Sequence, residues 1–137
     1  MIPTIEIEAA PARPWRVTWL APSDVRELVF PRSADDSRVH TWTAPADFKI
    51  TFVEGSERVR RRDGAPFRAV TLDVPAAYRF LPKDYAPFAP FGDGGLLFHT
   101  GRLFACGGDC PSDARWAFTL RFAGWRQALV EGLFHAS

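Results

Sequence analysis

Apolar and polar side chains alternate with a period of two along most of this chain, and that alternation constrains its fold more than any other feature. In the opening segment, Ile5, Ile7 and Ala9 alternate with Glu6 and Glu8. Such segments are typical of β-strands with one buried and one solvated face. The same period places four further apolar sets on one strand face each: Trp15, Val17 and Trp19; Phe48, Ile50 and Phe52; Val70, Leu72 and Val74; and Trp116, Phe118, Leu120 and Phe122.

The predicted strands follow one another at intervals of roughly ten residues, which is typical of a β-sandwich or a β-barrel. Helices are expected to be scarce, because the 12 prolines leave few uninterrupted windows of helical length. The 137 residues, with their 12 phenylalanines, can bury the core of one domain. We therefore predict an all-β fold: an antiparallel β-sandwich of about eight to ten strands, forming a single domain over residues 1–137.

Local patterns predict several connections between these strands. The sequence VHTWT (residues 39–43) is β-branched and predicts a short strand, and Asp63 with Gly64 predicts a hairpin turn. Thr100 and Gly101 predict a second hairpin, between strands at 96–99 and 102–106. We expect a last strand at 126–132, followed by a flexible tail at 133–137.

The alternation breaks between residues 75 and 95, where aromatic residues, prolines and glycines replace it. We predict an ordered loop that crosses from one part of the sandwich to another. Its rings either plug one end of the sandwich or form a binding surface. The candidate binding residues in and beside this loop are Phe80, Tyr85, Phe88, Phe91, Asp93 and His99.

The overall charge is nearly balanced, with 17 basic and 16 acidic residues. This balance argues against nucleic-acid and membrane-surface binding, so we expect neither partner. The basic run at 58–62 is flanked by Glu57 and Asp63, which favours a solvated hairpin edge over a phosphate-binding patch. No apolar run is long enough to span a bilayer, and the start lacks a leader pattern. We expect a cytoplasmic protein, or a periplasmic or secreted one if a leader has been removed.

Cys106 and Cys110 are the two cysteines of the chain. Their sequence leaves three alternatives open: free thiols, a disulfide in an oxidising compartment, or a metal site. A structural metal site needs about four ligands, and His99 could add only a third in an awkward position. We therefore predict no metal and no cofactor, and we keep both cysteines as disulfide candidates.

A complete catalytic set is not evident in the sequence. A nucleophilic cysteine would need a base, and His99, His40 and His135 could supply one only through an unproven tertiary contact. The loop carboxylates Asp84, Asp93, Asp109 and Asp113 are residue types that turns select by themselves. We expect no catalytic residue in this chain.

The run FRAVTLDVPAAYRFLPKDYAPFAPFGDGGLLFHTGRLFAC (67–106), followed by ARWAFTLRFAGWRQALVEG (114–132), resembles the N-terminal β-sandwich domain of thermolysin-like aminopeptidases, particularly the glycyl-aminopeptidase type. The shared features are a strand ending in Val74-Pro75, the Asp93-Gly94 step before a hairpin, the Gly124-Trp125 turn, and a last strand at 126–132. The HExxH zinc motif of those peptidases is absent from this sequence. The resemblance therefore implies the non-catalytic module, which packs on a catalytic domain that would begin near the end of this chain.

Three functional hypotheses follow. The first is a non-catalytic accessory domain whose partner is another protein or a peptidase catalytic domain, with a homodimer as an alternative. The second is a stand-alone sugar- or peptide-binding β-sandwich that uses Trp42, Tyr85 or Trp125 as an aromatic platform. The third is a small Cys/His hydrolase that uses Cys106 or Cys110 with His99.

Overall fold

The structure is a computed structural model of the chain. It describes residues 1–10, 13–33, 35–75, 88–90, 96–98, 100–122, 124, 127–130 and 133–136. Strands dominate these residues, so the chain is all-β, as the alternation predicts.

The described residues contain eleven strands, one short helix and one 3₁₀ turn. The helix α1 covers Ser37–Thr41 and the 3₁₀ turn covers Thr100–Leu103. The strands are β1 (Thr4–Ala9), β2 (Trp15–Val25), β3 (Leu28–Phe30), β4 (Phe48–Val53), β5 (Ser56–Arg61), β6 (Phe67–Val74), β7 (Phe88–Pro90), β8 (Leu96–Phe98), β9 (Phe118–Phe122), β10 (Gln127–Val130) and β11 (Leu133–Ala136).

The largest sheet has four strands in the order β6-β2-β1-β9. β2 pairs antiparallel with both β1 and β6, whereas β9 pairs with β1 in parallel. The prediction of a wholly antiparallel arrangement is therefore wrong at this edge. Alternation along one strand shows which face is buried, but it carries no information about the direction of the neighbouring strand.

The register of this sheet aligns its apolar side chains in rows on one face. One row contains Val70, Trp19, Ile5 and Phe118, and the next contains Leu72, Val17, Ile7 and Leu120. The opposite face presents a row of alternating charge: Asp73, Arg16, Glu8 and Arg121. The predicted inward sets of β1, β2 and β6 are confirmed, since these residues are buried while the charged row is exposed.

A second sheet has three strands in the order β3-β5-β4. β4 and β5 form a hairpin whose two-residue turn is Glu54 and Gly55, with φ of 53° and 76°. Two successive positive φ angles are the mark of a type I′ turn, whose twist matches that of the strands it joins. On β5, Val59 is fully buried, and it lies between Leu28 on β3 and Ile50 on β4.

The buried side chains of the two sheets form one hydrophobic cluster. Trp19 is central to it. Its ring packs edge-to-face with that of Phe30, with the ring centres 5.7 Å apart, and its indole nitrogen donates to the Leu103 carbonyl at 2.8 Å. Full burial of one large apolar side chain is worth roughly 1.5–3 kcal/mol. The alternation in the sequence therefore supplies the principal stabilising term of the fold.

Three local structures predicted from the sequence are wrong. The segment VHTWT is not a strand, since α1 contains Val39, His40 and Thr41. Asp63 and Gly64 do not close a hairpin, because β5 pairs with β4 and β3 while β6 pairs with β2. The basic run at 58–62 lies largely on β5, which is the central strand of its sheet and not a hairpin edge. In each case a long-range partner overrides a local preference.

The C-terminal half differs in two further places. The predicted hairpin at Thr100 and Gly101 is a 3₁₀ turn, and β8, which precedes it, pairs with β7. The predicted tail at 133–137 contains β11, which pairs antiparallel with β10. The predicted crossing loop at 75–95 lies outside the described residues, apart from Pro75 and β7.

Candidate functional site

Most of the binding residues predicted from the sequence cannot be placed. Phe80, Tyr85, Phe91, Asp93 and His99 lie outside the described residues. Phe88 begins β7, where its backbone is in register with Phe98. The aromatic binding surface of the predicted crossing loop therefore stays a prediction.

Cys106 and Cys110 are joined by a disulfide, with their Cα atoms 5.4 Å apart. The intervening loop turns at Gly108, whose φ of 99° is a conformation that favours glycine. Cys106 also exchanges two backbone hydrogen bonds with Val29, of 2.8 and 2.9 Å, and so extends the second sheet beyond β3. A disulfide sulfur is neither a thiolate nucleophile nor a metal ligand, so this loop has a structural role in the oxidised protein.

Of the histidines and carboxylates that could assist catalysis, His40, Asp109 and Asp113 are described, and they lie at the surface, whereas Asp84 lies outside the described residues. His40 Nε2 lies 2.9 Å from Asp36 Oδ2, one helical turn earlier, and both side chains are exposed. Asp109 and Asp113 are exposed in loops. In the part of the chain that the structure describes, no three His, Cys, Asp or Glu side chains are grouped closely enough to hold a metal ion.

A buried ionic cluster is the most elaborate polar arrangement among the described residues. It joins Arg38 of α1, Glu57 of β5 and Arg102 of the 3₁₀ turn, which are 0%, 0% and 4% exposed. Arg38 Nη1 donates to Glu57 Oε1, and the Val39 amide donates to Glu57 Oε2 at 3.0 Å. Glu57 thus satisfies one of the amide groups that the start of a helix leaves without an internal partner.

The two arginines of this cluster also bind backbone carbonyls. Arg38 Nη2 donates to the carbonyls of Arg32 and Arg102, at 2.7 and 2.8 Å. Arg102 Nη1 donates to the Arg32 carbonyl at 2.7 Å, and its Nη2 donates to Ser37 Oγ at 2.8 Å. These bonds hold the segment before α1, α1 itself and the 3₁₀ turn against β5.

Aromatic rings complete the surroundings of Arg38. Its guanidinium lies 4.4 Å from the centre of the Phe30 ring and 5.2 Å from that of Trp42, within range of a cation–π interaction. Trp42 also stacks on Trp19 at 6.0 Å. Trp42 is half-buried in this packing, and its use as a binding platform stays a prediction.

The ionic cluster is suited to stabilising the fold more than to chemistry on a substrate. Arginine keeps its proton at any accessible pH, so Arg38 and Arg102 cannot act as general bases. Glu57 is fully buried, and both of its oxygens accept hydrogen bonds from the protein. Sequence reasoning missed this cluster, although one signal was present: Glu57 occupies an inward position in the alternation of β5, two residues before Val59.

Two arginines of the basic run at 58–62 bind carboxylates near the protein surface. Arg58 Nη1 donates to Glu27 Oε1 at 2.8 Å. Arg61 donates to both oxygens of Asp63, at 3.0 and 2.9 Å, and to Asp47 Oδ2 at 3.1 Å. The hydrogen bonds from Arg61, followed by that from the Ala65 amide, lower the pKa of Asp63 to about 2. The same contact with Asp63 raises the pKa of Arg61.

An apolar strip lies at the β9 edge of the four-stranded sheet. Phe118, Leu120 and Phe122 pack against the core but are only half-buried, whereas their neighbours on β1, Ile5 and Ile7, are almost completely buried. Trp116 lies next to these residues in the chain, and its ring stacks on that of Phe104 with the ring centres 4.2 Å apart. We call Trp116, Phe118, Leu120 and Phe122 the β9 strip.

No family model, curated protein or solved structure matches this chain. Among the described residues, no helix combines the length and the apolar character needed to cross a membrane.

Proposed function

We propose that this chain is a non-catalytic β-sandwich domain that acts through protein contacts, similar to the N-terminal domain of a thermolysin-like aminopeptidase. The four-stranded and three-stranded sheets would be the two layers of the sandwich, since their buried faces share one core. The buried ionic cluster supports this role, because it fixes the relative position of segments far apart in the chain.

The β9 strip is the observation that carries the proposal. A strand at the edge of a sheet, with large apolar side chains that the core covers only in part, is suited to packing against a second protein surface. In the family that the sequence resembles, the last strands lead into the peptidase domain, and β9 immediately precedes the corresponding Gly124-Trp125 turn. The proposed partner is therefore a peptidase catalytic domain, either in the same polypeptide or in a separate one.

The disulfide favours an oxidising compartment for this domain. Disulfides persist in periplasmic and secreted proteins and are rare in the reducing cytoplasm. The joined Cys106 and Cys110 therefore support the periplasmic or secreted alternative over the cytoplasmic one. Mass spectrometry of the protein isolated from its native host, with free thiols alkylated before unfolding, would test this assignment.

Identification of the catalytic partner is the first test of the proposed function. The reading frame after the codon for Ser137, or a neighbouring gene, should encode a domain with an HExxH motif. The two domains produced together should associate, and Leu120→Gln should weaken the association at least tenfold, because it places a polar amide in the β9 strip. Thr119→Gln is the matched control, since Thr119 points to the opposite face and is exposed. The proposal fails if no such domain is encoded, or if both substitutions leave the association unchanged.

A further inference from the structure

We propose that two copies of this chain pair through the outer edges of their β4 strands, so that the two three-stranded sheets become one six-stranded sheet. This interface lies on a different sheet from the β9 strip and goes beyond the proposed function. β4 is suited to this pairing because, among the strands that the structure describes, it is terminal in its sheet and pairs only with β5.

The backbone groups available at this edge follow from the hydrogen-bond pattern of the hairpin. In an antiparallel pair, residues that exchange hydrogen bonds alternate with residues that do not. The Arg62 amide donates to the Asp47 carbonyl at 2.9 Å, so the hydrogen-bonded partners of β4 are Lys49, Thr51 and Val53. The N–H and C=O groups of Ile50 and Phe52 therefore point away from β5, toward the outer edge.

The C-terminal end of β4 exposes apolar side chains. Of the described residues, the large apolar ones with 40% or more of their surface exposed are Met1, Phe52 and Val53. Two of these three are thus consecutive on one edge strand. Burial of such surface against a second strand is favourable, and an unpaired edge with apolar side chains is the usual template for strand addition.

Charge indicates which strand adds to this edge. Lys49 lies at the start of β4 beside Arg60 of β5, on the same face of the sheet, and like charges in directly opposed positions are unfavourable. Glu54 lies at the other end of β4, in the hairpin turn. Within the described ranges, no ion pair is formed by Lys49, Arg60 or Glu54. The edge therefore has unpaired positive charge at one end and unpaired negative charge at the other.

An antiparallel partner with the same sequence satisfies both ends at once. With the two-fold axis at Thr51, Ile50 of one copy lies opposite Phe52 of the other, and their outward backbone groups form the hydrogen bonds of an antiparallel ladder. Lys49 then lies opposite Val53 of the second copy, with that copy's Glu54 as the next residue. A lysine on an edge strand usually discourages pairing, but here it lies at the strand end, beside the complementary charge.

Sedimentation velocity over a concentration series tests this proposal on the full chain. The wild-type chain should sediment as a reversible dimer. Lys49→Glu and Glu54→Lys should each raise the dimer dissociation constant about tenfold, because each change places like charges together twice in the symmetric interface. The double variant K49E/E54K should restore the wild-type constant. Glu6→Lys, an exposed charge reversal on the other sheet, is the control and should change nothing.

Amide hydrogen exchange tests the register of the interface. The amides of Ile50 and Phe52 should be protected in the dimer and should exchange faster in K49E, while the Val59 amide on β5 remains protected in both. Circular dichroism confirms that each variant is folded. A chain that stays monomeric at every concentration overturns the proposal. A dimer that is indifferent to both single charge reversals overturns it too, because it must use another surface.

Discussion

Glu57 and Arg58 are neighbours on β5, and each forms an ion pair with a residue of the opposite charge, but the two pairs lie on opposite faces of the sheet. Glu57 points inward to Arg38, and both side chains are 0% exposed. Arg58 points outward to Glu27, and these side chains are 25% and 24% exposed. One step along a strand therefore separates a fully desolvated ion pair from one in contact with water.

The comparison shows that the environment of an ion pair decides its energetic role. An ion pair near water contributes little, because solvent screens the attraction and ordering the side chains costs entropy. A buried pair need not stabilise the fold more than apolar residues would, but removal of one partner leaves a charge without its counterion in the interior. Of the four predictions below, in order of decreasing effect, three concern buried or exposed ion pairs and the third concerns the disulfide at the edge of the same sheet.

Glu57→Ala should lower the free energy of unfolding by about 3–5 kcal/mol, because it leaves Arg38 buried without its carboxylate and the Val39 amide without its acceptor. Glu27→Ala is the matched control and should cost at most about 1 kcal/mol. Urea denaturation at neutral pH measures both. If the two substitutions were equally costly, burial would not distinguish the two pairs.

A double-mutant cycle should separate the interaction energies themselves. We expect Arg38→Met and Glu57→Leu to be coupled by about 2–3 kcal/mol, because each single change removes the same close contact between two buried charges; the longer contact of Arg102 with Glu57, at 3.9 Å, is lost only when Glu57 is replaced. The corresponding cycle on Arg58 and Glu27 should give less than about 1 kcal/mol and should decrease further at high salt. Equal coupling in the two cycles would contradict the comparison.

The disulfide lies at the β3 edge of the same sheet, because Cys106 forms two backbone hydrogen bonds with Val29 of β3. Cys110→Ser should lower the free energy of unfolding by about 2 kcal/mol, the loop-closure value expected for so short a ring. Reduction of the wild-type protein should reproduce the change, whereas added reductant should not affect the variant. A variant as stable as the oxidised wild type would show that the disulfide is energetically neutral.

Asp63 should show the smallest effect, because it is exposed to solvent. Its pKa of about 2 in the folded protein lies below the ordinary value of 3.8, so its interaction with Arg61 is complete above pH 3.8 and is lost as the pH falls toward 2. NMR titration of the Asp63 carboxyl carbon measures this directly. Arg61→Gln should move the midpoint back toward 3.8, whereas Arg60→Gln should not. An unchanged midpoint in Arg61→Gln would assign the shift to another group.

The sequence predicted the strands whose side chains alternate strictly. The inward sets of β1, β2 and β6 were recognisable because burial on one face of a strand repeats every second residue. Helix α1 is not recognisable in this way, because it is short and one of its amide groups is bound by the distant carboxylate of Glu57. The sequence leaves the cysteine pairing open, because the pairing depends on the fold of the loop and on the redox environment.

Contacts between distant segments account for what the sequence could not supply. In the sequence Glu57 is one flank of a basic run, and nothing near it in the chain indicates that Arg38 and Arg102 meet it in the core. The sequence also does not indicate that β4 is an edge strand. The predicted hairpin at Asp63 and Gly64 would place β6 beside β5, whereas in the structure β5 lies between β3 and β4. Local turn signals predict that the chain reverses direction, but not which strands come to lie side by side.

The parallel pairing of β1 with β9 has a consequence for protein synthesis. β1 leaves the ribosome before β2, which can cover one of its sides soon afterward, but β9, which covers the other side, is made only after the strands from β2 to β8. The nascent protein must therefore hold an apolar strand with one uncovered side until β9 has been made. Slower elongation would prolong this vulnerable interval, and a chaperone that shields β1 at the exit tunnel would shorten the time during which the chain can aggregate.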